Sequence, residues 1–381
     1  MIKVEDIISA ASDKTGLSDI GDDAILEGLN VLVDASNNEA RLSEAGEQRW
    51  AGSLIGYLSN RLQVIDYLKQ HPELAERPIE KPTFVFGLPR TGTTLTINLL
   101  SADPGRRCFL RWESQSPVPP AAAGELSTDP RYETCKAQTE MALKYVPHIA
   151  AIHFEEADSP TECQFLMSPS FCAEVFDSQV HIPSYRQWLF NTSYLPAMRF
   201  HKQMLQVLQE NNPGHWTLKN PWHPLFLDDL RTVYPDAQLV MTHRDPVEVV
   251  GSACSLLRAV RPMYSEQVNM DEIAETLLST FDLMIERQDA YRATHGADAI
   301  YDIQYASQLK DPIGTLRGVY EHFGMPFSAE VETAMRRMLA DNPKGKHGKH
   351  DYSLADFGLT KEQIRQRYGD YCERFNIPCR D

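Results

Sequence analysis

Residues 87–94 read Gly-Leu-Pro-Arg-Thr-Gly-Thr-Thr. The glycines let the backbone close round an anion, and its N–H groups, with the positive end of a following helix, point at that anion. Arg90 and the hydroxyls of Thr91, Thr93 and Thr94 add donors. The octapeptide has the shape of G-x-x-x-x-G-K-[ST], with Thr93 where the Lys belongs. A kinase or ATPase needs that Lys on its terminal phosphates and an acidic residue for its metal. A loop that grips phosphate without the Lys points to other chemistry at the leaving group. The plain alternative is an ordinary Gly-bearing turn between strand and helix.

The elements around the loop are those such a site needs. TFVFG, from Thr83, is a short apolar run suited to a strand buried on both faces, and LTINLLSAD follows at helical spacing. AQLVMTH, from Ala237, is a second buried strand closed by Arg244-Asp245-Pro246. VEVVGSACSLLRAV then reads as a helix with Asp245 as N-cap and Pro246 as first residue. HWTLKN (215–220) and AIYDIQY (299–305) predict two further strands, followed by the helices PLFLDDLRTVY and PIGTLRGVYEHF. Strands alternating with helices imply a mostly parallel sheet covered on both faces.

Residues 1–78 read as helical: Trp50, Leu54, Leu58, Leu62 and Ile65 fall on one face. Residues 114–213 are rich in Pro and aromatics and predict a helical insertion over one end of the sheet, forming the acceptor pocket. The α/β core then comprises 79–113 and 214–345. After Asn342 comes a basic knot, Lys344 to His350, then a last helix near 360–375.

Composition narrows the class. The 381 residues carry 37 basic and 53 acidic side chains, a formal charge of −16. That balance argues against a general nucleic-acid binder but allows a local basic pocket. With 42% hydrophobic residues the chain can bury a sizeable core. No stretch nears the roughly 18 apolar residues of a membrane span, and the N-terminus lacks signal-peptide character. Seven cysteines without a C-x-x-C suit reduced thiols in the cytoplasm. His347 and His350 lack the companions of a metal site, so no metal is expected.

GLPRTGTT resembles the 5′-phosphosulfate loop of sulfotransferases that use 3′-phosphoadenylyl sulfate. THRDPVEVVGS resembles their 3′-phosphate motif, an Arg followed eight residues later by a Ser, here Arg244 and Ser252. WTLKNP resembles the segment of their catalytic Lys, here Lys219. YASQLKDPIGTLRGVYEHFGMPF resembles the stretch that ends their core. The likeness is closest to bacterial sulfotransferase-like proteins with a long helical N-terminus. It implies a P-loop-like α/β fold and sulfonate transfer to a hydroxyl, less readily an amine, with adenosine 3′,5′-bisphosphate as product.

By the same resemblance, Arg90 lies on the 5′-phosphate or the bridging oxygen, Thr91, Gly92, Thr93 and Thr94 supply the cradle, Tyr305 meets the adenine, and Lys346 and His347 belong to a loop closing over the 3′-phosphate. Lys219 stabilises the leaving oxygen, its alternative being a pair with Asp228 or Asp229. For the base, Glu113 matches a Glu after the corresponding helix of protein-tyrosine sulfotransferases. Cytosolic relatives use a His two residues after their Lys; Pro221 stands there, so His223 is the nearest His, and His153, Glu155 and Glu156 are further candidates. The aromatic insertion favours an apolar or aromatic acceptor. The rivals are a nucleotide-dependent kinase and a non-catalytic nucleotide-binding module.

Overall fold

The structure, a computed structural model, describes residues 1–145, 155–342 and 352–379. Five strands form one sheet: β1 (Thr83–Phe86), β2 (Arg106–Cys108), β3 (His215–Lys219), β4 (Gln238–His243) and β5 (Tyr301–Gln304). Their order is β2-β3-β1-β4-β5, and every pairing is parallel. The sequence reading has no counterpart for β2. It is three residues long, at the sheet edge, and Arg-Arg-Cys carries no apolar run. β5 stops earlier than expected. Tyr305 begins the short helix Tyr305–Lys310 and is not a strand-end residue.

Side chains alternate across the sheet. Phe84, Phe86, Leu218, Leu239 and Met241 join the larger core. Val85, Val240 and Ile303 face the other way, onto Leu99 and Leu100 of the helix Thr93–Ser101 and Leu316 and Val319 of the helix Pro312–His322. Both faces are thus covered, which is why the strands carry so few polar positions.

The larger core takes in the N-terminal helices Val4–Thr15, Ile25–Asn38 and Glu44–Gln70. Trp50, Leu54, Leu58 and Leu62 are all buried in it, and Ser43 Oγ caps the third helix by accepting from Gly46 N at 3.0 Å. The helix Leu195–Leu208 packs on Glu44–Gln70 and adds Met198, Met204 and Leu205 to the same core. Phe171, Phe176, Tyr185 and Tyr194 are also fully buried there. Most of the aromatics at 154–194 therefore fill the core; they do not line a pocket.

Parallel strands bring their carboxyl ends to one edge. The loop 87–92 leaves β1 there, Asn220 follows β3, Arg244 follows β4, and Tyr305 follows β5. Asp245 accepts from Val247 N at 3.0 Å and caps the helix Pro246–Val260, with Pro246 at its first position, as the sequence predicts. Among the described residues no helix is long and apolar enough to cross a membrane.

Candidate active site

The loop after β1 is built to approach its neighbours closely. Gly92 has φ 102°, and a Cβ on it would lie 2.5 Å from Cδ2 of Tyr305. Only glycine fits at this point. Thr93 and Thr94 then open the helix Thr93–Ser101, and Gly92, Thr93 and Thr94 line the cavity at its N-terminus, the end of a helix whose N–H groups have no intrahelical acceptor and carry partial positive charge. Thr91 does something else. It is fully buried, its hydroxyl donates to Leu88 O at 2.6 Å, and it shares a 2.6 Å hydrogen bond with Thr242 Oγ1. It ties the loop to β4 and does not offer its hydroxyl to a ligand.

Two arginines from distant parts of the chain meet at this loop. Arg90 Nε donates to Ser252 Oγ at 3.1 Å, and Arg244 Nη1 donates to Arg90 O at 3.0 Å. Arg244 also pairs with Glu248, its Nε 2.7 Å from Oε2, and its guanidinium lies 4.7 Å over the Tyr305 ring. Arg90 makes no ion pair among the described residues. Burial, then the charge of Arg244, pulls its pKa below the ordinary arginine value. Arg90 is thus a partly buried guanidinium beside a second one, that of Arg244, whose own carboxylate partner is Glu248.

The cavity is about 390 Å³. One end is the loop, Arg90, Arg244 and Tyr305; the other is apolar, with Phe165, Trp222, Val175 and Leu277. Ala253, Leu256, Leu257 and Val260 add one face of the helix Pro246–Val260, at spacings of three, one and three. At 1.5 Å per residue that apolar face runs about 10 Å along the helix, from Ala253 to Val260.

Glu162, 7% exposed, also lines the cavity. Lys219 lies behind it, 1% exposed, with Nζ 3.3 Å from Glu162 and 3.7 Å from Glu155. Burial works against the Lys219 charge, but Glu162 and Glu155 outweigh it and raise its pKa above the ordinary value. The expected alternative partners, Asp228 and Asp229, are not its partners: Asp229 accepts from Tyr194 N at 2.6 Å, and Asp228 lies 3.3 Å from His295. Gln164 donates Nε2 to Glu162, and its Oε1 is left without a partner on the cavity wall.

Two candidates for the base are placed elsewhere. Glu113 is buried, ion-paired with Arg107, and accepts from Leu110 N at 3.0 Å; it caps its own short helix and does not line the cavity. His223 is fully buried, its ring edge-on to Phe84 at 5.1 Å and to Phe226 at 5.3 Å. Neither of its nitrogens has a partner among the described residues, and burial, then His201, holds its pKa well below the usual value. It is a core ring. Glu155 accepts from Thr161 Oγ1 at 2.9 Å, and Glu156 is exposed. His153, Lys346 and His347 lie outside the described residues.

Glu162 and Gln164 were not among the candidates. They lie in an irregular stretch, TECQF, with no spacing that marks them. A parallel bridge between Glu162 and Lys219, together with Cys163 N donating to Lys219 O at 2.7 Å, brings the stretch to β3.

The profile of the sulfotransferase family matches residues 82–329. The chain is 24% identical over 321 residues to the omega-hydroxy-beta-dihydromenaquinone-9 sulfotransferase Stf3 of Mycobacterium tuberculosis, covering 78% of this chain and 75% of that one. It superposes on the crystal structure of sulfotransferase STF9 from Mycobacterium avium with a TM-score of 0.93 at 33% identity, covering 100% of this chain and 98% of that one. Sulfotransferase STF1 from Mycobacterium tuberculosis H37Rv gives 0.87 at 32%, covering 97% and 99%. The match spans the loop, both arginines, Lys219 and Glu162, and the chain belongs to the sulfotransferase family, whose members transfer a sulfonate group from 3′-phosphoadenylyl sulfate to a hydroxyl of a small-molecule acceptor.

Proposed function

We propose that Arg244 and Ser252 hold the 3′-phosphate of the donor, while Arg90 and the N–H groups of Gly92, Thr93 and Thr94 hold the 5′-phosphate. Tyr305 faces the adenine, and adenosine 3′,5′-bisphosphate leaves as product. One observation carries this reading: the Arg90–Ser252 bond at 3.1 Å, which joins loop and helix beside a second guanidinium, that of Arg244, paired with Glu248.

Sulfonate transfer needs in-line geometry, compensation of charge on the leaving oxygen, and a base for the acceptor proton. Glu162 is a carboxylate that lines the cavity, which Glu113 and His223 do not, and it takes the base role in their place. Lys219 keeps Glu162 oriented and supplies positive charge toward the leaving oxygen. Gln164 Oε1 receives the acceptor hydroxyl. The apolar wall, with Phe165 and Trp222, favours an apolar or aromatic alcohol over a sugar. The seven free cysteines accord with a cytoplasmic setting.

Calorimetric titration of adenosine 3′,5′-bisphosphate and adenosine 5′-phosphate tests the donor assignment. Charge-assisted bonds of about 1.5–3 kcal/mol predict that Arg244→Ala weakens the bisphosphate roughly 10- to 150-fold and barely touches the monophosphate. Equal losses would remove the 3′-phosphate role from Arg244.

A further inference from the structure

The helix Lys361–Arg374 touches the residue on each side of Arg244. Before it, His243 Nδ1 is 2.7 Å from Tyr371 Oη, and the His243 ring stacks on Phe375 with centroids 4.4 Å apart. His243 Nε2 is held by Asp302 at 2.8 Å, which fixes the ring from the opposite side. After it, Arg365 forks onto Asp245 through bonds of 2.6 and 2.7 Å, while Asp245 caps the helix Pro246–Val260.

Arg365 and Tyr371 are six residues apart, about 240° round an ideal helix. They reach the same strand end because the helix is broken at Tyr368, where φ is −113° and ψ 15°. The break is seated by the buried Tyr368 ring, whose hydroxyl donates to Leu278 O at 3.4 Å. A second hold comes from just upstream. Tyr352 Oη donates to Glu248 O at 2.9 Å, and its ring lies so close to Gly251 that a Cβ there would stand 2.5 Å from Cε2. Glu248 is the carboxylate paired with Arg244.

We propose that the helix Lys361–Arg374 is the positioning element for 3′-phosphate recognition: Arg365 and Tyr371, through Asp245 and His243, set the backbone from which Arg244 projects. Neither side chain meets the nucleotide. The inference rests on the reading that Arg244 binds the 3′-phosphate. Its physical content is that an arginine fork needs its base fixed to aim at two oxygens. The β4 end is otherwise a single turn between a strand and a helix.

The test is the ratio of affinities for adenosine 3′,5′-bisphosphate and adenosine 5′-phosphate, measured by calorimetry on the full chain. Tyr371→Phe removes one hydroxyl, and Arg365→Lys keeps a charge but loses the fork. Each should cut bisphosphate affinity roughly 3- to 30-fold, the scale of coupling from residues off the ligand, and leave the monophosphate unchanged. Donor KM should rise with kcat at saturation retained. Arg365→Ala should exceed Arg365→Lys. Arg367→Ala, which breaks the pair with Asp282 on another face of the same helix, should lower the melting temperature without moving the ratio. An unchanged ratio in Tyr371→Phe and Arg365→Lys, or equal losses for both nucleotides, overturns the inference. A wild-type chain that does not distinguish the two nucleotides overturns instead the 3′-phosphate reading beneath it.

Discussion

Among single residues, the exchange of Glu113 for Glu162 changes the chemistry most. Both are acidic residues that are largely buried, at 1% and 7% exposure, but their partners differ. Glu113 neutralises Arg107 inside the protein, and Glu162 stands on the cavity wall with Lys219 behind it. Their glutamine variants should therefore fail differently. Glu162→Gln should keep nucleotide affinity and lose about 10²–10⁴ in turnover, the range for a positioned base. Glu113→Gln leaves the Arg107 charge buried without its counter-ion. The cost should be about 3–5 kcal/mol of stability with turnover per folded molecule preserved. Denaturant melts and single-turnover rates on the two proteins separate these outcomes. A normal rate in Glu162→Gln sinks its role as base.

At the scale of elements, the anion site is the meeting of the β1 loop with the β4–helix junction, and it depends on how closely the loop passes Tyr305. Gly92→Ala puts a methyl group at φ 102° into the Tyr305 ring, so loop or ring must move. A strained residue of this kind costs about 1–3 kcal/mol. With this loop as the proposed phosphate cradle, bisphosphate affinity should fall by roughly 5- to 150-fold. The prediction fails if titration shows the variant binding as tightly as the wild type. The helix Pro246–Val260 joins both halves of the site: Ser252 lies at the anion end, and Val260 lies toward the apolar wall. One rigid element thus fixes the distance between donor and acceptor.

For the whole molecule, one core joins the N-terminal helices, the 195–208 helix and one face of the sheet, and the buried rings of His201 and His223 pack against it. Burial lowers the His201 pKa to about 3 and holds that of His223 well below its ordinary value. In the unfolded chain both take a proton near the ordinary pKa of about 6.5, which favours unfolding as acid is added. Stability is therefore full above about pH 6.5 and is lost as pH falls from there toward the folded values. His223→Phe suits the aromatic surroundings of Phe84, Phe86 and Phe226 and cannot take up a proton. Melting curves from pH 7.5 to 4.5 should fall less steeply for the variant, and its turnover at pH 7.5 should stay within about threefold of the wild type, as a core role requires. Identical slopes, or a turnover collapse, would return His223 to the list of catalytic candidates.

The sequence by itself determined the parallel sheet, the tight loop between β1 and the helix Thr93–Ser101, and the start of the helix Pro246–Val260. Each rests on local information: apolar runs of strand length, glycines ahead of a helix, a capping Asp before a Pro. It did not determine β2, whose three residues are pinned only by pairing with β3. Nor could it decide which carboxylate faces the cavity. Glu113, Glu155 and Glu162 are alike as residues, and only the pairing of Glu162 and Cys163 with the end of β3 brings Glu162 to Lys219. His223 is the converse case. Four positions from a catalytic-type Lys it looks chemical in sequence, yet the turn after β3 drives its ring into the phenylalanines, because burying it there completes the core. The aromatics of the insertion followed the same physics: most were needed to fill space between helices, and tertiary packing left Phe165 for the cavity.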